Sequence, residues 1–198
     1  MQAICRTTLL LLLSCLSTFV CIADGQTADQ NTAEQLRIAL NSLQKAPHDT
    51  SAQREYIHAF PHDYASFVRL FDLGKPLYDG HKYVEAFSSL GDSHEDEIGS
   101  TLTSLCTEAR YDADAPAYLQ QATAVFGSRH TEKFLSLLKA LPARKRAHII
   151  NFLTEGVEDF VAYPEYQRII DHSNALGETA IAQQFEIART RRTEQPKD

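Results

Sequence analysis

Four carboxylates within six residues, Asp92, Glu95, Asp96 and Glu97, form the densest set of chemistry-bearing side chains in the sequence. Paired carboxylates hydrolyse glycosides when two of them flank one bond at a set separation. At the start of a helix the same residues complement exposed backbone N–H groups and stay solvated. Ser93 followed by Asp96 is a capping-box pattern, so the segment reads as a helix N-terminus. It is assigned as an acidic contact surface, with His81 as a fifth binding residue, and no residue is assigned as catalytic.

Eight histidines invite a search for metal ligands, but zinc needs imidazoles that converge, such as two one helical turn apart. His58 and His62 have that spacing, yet Pro61 between them should split the helix and separate their faces. His94-Glu95 lacks a second histidine at position 98, which is Ile98. Asp112 and Asp114 resemble the opening of a calcium loop, but Ala113, Ala115 and Pro116 supply no further oxygen ligands. No metal site and no cofactor are expected. Cys106 would serve as a nucleophile only if exposed with a lowered pKa; Leu102, Leu105 and Ala109 place it on an apolar stripe instead. No serine sits in a nucleophile-elbow sequence, and no glycine-rich phosphate loop or dinucleotide fingerprint occurs.

The elements that would position these residues are all helical. Between Tyr56 and Phe87 lie eight of the eighteen Phe and Tyr residues. Tyr56, Phe60, Tyr64, Phe67 and Phe71 recur at helical spacing, broken by Pro61 into two helices, the second starting at Pro61 itself. They should pack against Tyr83 and Phe87 across the Gly74 to Gly80 loop. Upstream, Thr32 with Gln35 caps a first helix carrying Leu36, Leu40 and Leu43. Downstream, Gly91 and Gly127 read as helix-ending caps, Pro142 as a break and Gly177 as the joint between the last two helices. Alternating apolar and polar residues bounded by turns occur nowhere. The expected fold is an all-α antiparallel multi-helix bundle, or a short helical-hairpin array, of about nine to ten helices with no fixed repeat period.

Residues 1–23 read as a signal peptide: Arg6 precedes an apolar run from Leu9 to Ile22, with small residues at Cys21, Ala23 and Gly25. A retained anchor or a lipid anchor at Cys15 or Cys21 are the competing readings. Residues 24–31 are expected to be a flexible N-terminus, 32–192 a single helical domain and 193–198 a disordered tail. Without the leader the chain keeps 18 basic and 26 acidic side chains, a balance that argues against a nucleic-acid surface. It also keeps Cys106 as its lone cysteine, so stability must come from packing.

By elimination, the sequence points to an exported non-catalytic protein, periplasmic or secreted, that binds a protein partner, as immunity or inhibitor proteins do. The alternatives are a hydrolase of envelope polymers, working through the carboxylates and His81, and an apolar-ligand carrier with the aromatic corner lining a pocket. If the leader is cleaved, N-terminal sequencing of protein recovered from its host will begin at Asp24 or Gln26. Recovery of intact Met1 would contradict that reading.

Overall fold

The computed structural model of the chain describes residues 28–78, 80–110, 114–156 and 164–193. Among these residues there are ten α-helices and no strand, an all-α multi-helix bundle. The helices are α1 (28–45), α2 (Thr50–Ala59), α3 (Tyr64–Phe71), α4 (His81–Ser89), α5 (Glu95–Cys106), α6 (Asp114–Arg129), α7 (Thr131–Ala140), α8 (Ala143–Thr154), α9 (Pro164–Ala175) and α10 (Thr179–Thr193). A short 3-10 turn, Leu90–Asp92, joins α4 to α5. No described helix is long and apolar enough to cross a membrane.

Helix α6 is the centre of the bundle, with α3, α4, α5, α7, α8 and α9 packed against it. Its residues explain the position. Ala115, Leu119, Ala122, Thr123, Ala124, Phe126 and Ser128 are all buried and cover most of the helix circumference, leaving one outward stripe of Tyr118, Gln121, Val125 and Arg129. A helix that is apolar or small over most of its surface belongs largely in the interior. Gly127, expected to end α6, lies inside it; a Cβ there would sit 2.9 Å from Phe134 and 3.1 Å from Ile169, so its bare backbone admits α7 and α9. The one long polar side chain at the centre, Gln120, is buried, and its amide donates to the carbonyls of Phe152, Leu153 and Glu155 at 2.6–3.1 Å. These carbonyls belong to the C-terminal end of α8, where a helix leaves acceptors without partners.

The aromatic corner forms as expected, with Phe60 at its hub. Its ring stacks on Phe87 at 3.9 Å and lies 6.0 Å from Phe71, which in turn meets Phe67 at 4.9 Å and Tyr83 at 6.0 Å. The Tyr56 hydroxyl donates to the Tyr83 carbonyl at 2.7 Å, and burial pushes that phenol above its ordinary range. Tyr78 is the exception, exposed on the loop instead of buried with the rest.

Several boundaries differ from expectation for local reasons. Helix α1 is already formed at residue 28, because the Thr32 hydroxyl donates to the Ala28 carbonyl from inside the helix instead of capping it. Asp29, within the stretch expected to be flexible, pairs with Arg69 of α3 at 3.2 Å. Asp49 caps α2, its side chain accepting from the Ser51 N–H at 2.8 Å. Pro61 precedes α3 in an extended link, and Asp63 caps the helix, accepting from the Ser66 N–H and hydroxyl at 2.8 Å each. Those bonds hold the Asp63 carboxyl below its usual range. Gly91 lies within the 3-10 turn, and His94, not Ser93, precedes the first residue of α5. Ala147 is exposed, while Ile149, Ile150, Phe152 and Leu153 form the inward face of α8. Gly177 does adopt φ 78°, the left-handed conformation expected of it between α9 and α10. The stretch 1–23 read as a signal peptide, Asp112 and the terminal residues 194–198 lie outside the described residues.

The closest approach to α6 comes at Gly99 of α5, where an added Cβ would lie 2.6 Å from Phe126 Cζ. Overpacking of this kind costs about 1–3 kcal/mol, against about 1 kcal/mol that alanine gains over glycine in a helix. Gly99→Ala is therefore expected to lower the midpoint of urea unfolding. A raised midpoint would mean that Phe126 has room to yield.

Candidate functional surface

The acidic segment is built by two turns in succession. The Ser93 N–H donates to the Leu90 carbonyl at 3.1 Å, closing the 3-10 turn, the His94 N–H donates to the same carbonyl at 2.9 Å, and α5 starts at once with Glu95, Asp96 and Glu97 in its first turn. The carboxylates are exposed but not idle. Asp92 Oδ1 and Glu95 Oε1 lie 3.1 and 3.2 Å from the two ring nitrogens of His130, at the junction of α6 and α7. Asp96 pairs with Lys133 of α7, and Glu97 approaches His94 Nδ1 at 3.6 Å. The other His94 nitrogen meets Gln53 Oε1 of α2 at 3.0 Å.

His130 is held for this role. Its ring stacks on Phe126 at 4.9 Å, and Gly91 lets the acidic turn come close: a Cβ there would lie 3.1 Å from His130 Nε2. The segment thus stitches the start of α5 to α2 and to the α6–α7 junction. Exposed pairs of this kind contribute about 0–1 kcal/mol each, so their carboxylates remain able to meet another molecule.

His81 stands apart from the four carboxylates, at the start of α4 with its ring edge-on to Tyr118 at 6.0 Å. It opens a groove of about 370 Å³ between α4 and α6, continued by Glu85, Ser88, Gln121 and Arg129 over a floor of Ala122 and Val125. Arg129 also lines a second groove, of about 400 Å³, with Glu95, His130, Glu132 and His172. His81 and Glu95 therefore belong to adjoining grooves that meet at Arg129. Tyr118, Gln121, Arg129 and His130 carried no signal in the sequence, because the pairing of α4 with α6 depends on how the bundle closes.

The structure corrects the expectation for His58 and His62. Both line one groove of about 380 Å³ with Asp96, Glu97 and Thr101. The extended link through Pro61 brings His62 back over α5, where its Nδ1 lies 3.4 Å from Thr101 Oγ1. Among the described residues no three His, Cys, Asp or Glu side chains converge as metal ligands. Cys106 is fully buried, with Sγ 3.4 Å from Thr123 Oγ1 of α6. Burial pushes its thiol up to about 12, which outweighs the opposing hydrogen bond. Such burial is the opposite of the exposed, low-pKa setting of a reactive thiol.

Comparison with protein-family models, curated proteins and solved structures finds no match to this chain. The surface itself is thus the guide to function. For Cys106, thiol reagents at pH 8 should label the native protein only as fast as it unfolds. Labelling at the rate of a free thiol in folded protein would show that the α5–α6 contact opens locally.

Proposed function

We propose that this chain is an exported, non-catalytic helical protein that acts by binding another protein, with a periplasmic immunity or inhibitor role as its most concrete form. The observation that carries the reading is the spread of polar groups over the adjoining grooves at Arg129. Glu85, Tyr118, Gln121 and Arg129 face the α4–α6 groove, and Asp92, Glu95, Asp96 and Glu97 stand exposed nearby. Charges of both signs distributed over a surface suit recognition of a complementary partner. Acid–base catalysis instead asks for groups that converge on one reacting atom. The hydrolase alternative draws less support, because Asp92 and Glu95 are engaged by His130 and Asp96 by Lys133. The apolar-carrier alternative needs the aromatic corner to line a cavity, whereas Phe60, Phe67, Phe71 and Phe87 are buried against one another.

The test is to express the tagged mature domain in its own host and recover any stoichiometric protein partner. Two variants should then be compared: Glu95→Lys with Glu97→Lys, and Arg129→Glu. Exposed charges contribute little to stability, so melting temperatures should stay near that of the parent while the partner is lost from at least one variant. Full retention of the partner by both would remove this surface from the account.

A further inference from the structure

The α4–α6 groove carries charges of both signs that the fold leaves without partners. Glu85 and Arg129 make no ion pair, and the Tyr118 hydroxyl and Gln121 amide make no hydrogen bond, among the described residues. The Ser88 and Ser89 hydroxyls donate to the Glu85 and Ala86 carbonyls of their own helix, which leaves their oxygens free to accept. At about 370 Å³ the groove falls within the range of small-ligand sites, about 300–1,000 Å³.

The charges are ordered along it. Helices α4 and α6 run parallel, since His81 meets Tyr118 at one end and Gly91 lies against Phe126 and His130 at the other. Glu85, one turn beyond His81, is then level with Ala122, and Arg129 lies two turns further on. At 1.5 Å per residue the separation along the groove is about 10 Å. Three extended residues span about 10 Å.

We propose that this groove binds the carboxy-terminal end of an extended peptide, about three residues long, with its free α-carboxylate on Arg129. A guanidinium offers a carboxylate two parallel hydrogen bonds. Gln121 and the serine oxygens serve the peptide N–H and C=O groups between, Tyr118 and His81 flank a side chain, and Glu85 attracts positive charge at the far end. A neutral sugar would leave both Glu85 and Arg129 covered without a counter-charge, which is costly. This proposal rests on the protein-binding reading if the peptide end belongs to a partner; it stands without it if the ligand is a free oligopeptide.

The experiment uses the mature domain, labelled with nitrogen-15, and the tripeptide Lys-Ala-Ala followed by amide chemical shifts. The free acid should shift amides around Ala122 and Arg129, and its carboxamide should bind about tenfold more weakly or not at all. Arg129→Gln should abolish the difference between acid and amide while keeping the dispersed spectrum of the folded domain, since Arg129 is exposed and unpaired. Equal binding of acid and amide, no shift at millimolar peptide, or unchanged discrimination in Arg129→Gln would each overturn the proposal. An N-acetylated peptide that binds as well as the free amine assigns the site to the C-terminus of a protein; dependence on the amine, lost in Glu85→Gln, assigns it to a free oligopeptide. Failure of every peptide leaves the host-partner experiment untouched, so the two readings fail separately.

Discussion

Helix α6 can take six neighbours around most of its circumference only because little projects from its buried faces. Six helices share its surface, and interior packing tolerates no spare volume and no missing volume. Ala115, Ala122, Ala124 and Gly127 keep its backbone accessible, while the Phe126 ring reaches into the space left by Gly91 and Gly99. The polar groups that enter this interior are satisfied there. Gln120 closes the end of α8, and Thr123 faces Cys106 across the α5–α6 contact. An unsatisfied amide or a larger side chain at these positions would cost more than surface interactions could return.

The candidate surface follows from where this central helix ends. Arg129 and His130 lie where α6 ends, and they emerge between α4, the start of α5 and the end of α9. His130 is taken by Asp92 and Glu95, which fixes the acidic turn beside the junction. Arg129, with no such partner, is left at the meeting point of two grooves. The same packing that buries Phe126 therefore sets an unpaired cation and a paired imidazole side by side on the outside.

The sequence made some of this legible and hid the rest, for physical reasons. The aromatic corner could be read because Phe60, Phe67, Phe71, Tyr83 and Phe87 are close in the chain and share helical spacing. The central place of α6 was harder to see, because burial of Thr123, Ala124 and Ser128 alongside Leu119, Ala122 and Phe126 depends on distant helices. Glycine was the least reliable guide. Gly177 ends a helix, as glycines with positive φ do, whereas Gly91 and Gly127 serve close approach between elements, a role that local sequence does not encode. Of the assigned binding residues, the carboxylates were legible as a helix start, but their partners His130 and Lys133 lie 35 or more residues away along the chain. His58 and His62 show the converse, since a proline that breaks a helix can still fold two side chains into one groove.

Native-state hydrogen exchange tests most directly whether α6 holds the bundle together. If it does, amides from Leu119 to Gly127 will exchange only through global unfolding, with the free energy found by denaturant and with protection at least equal to that of α9 and α10. Exchange of α6 through a lower-energy partial opening, while α9 and α10 stay protected, would contradict the account.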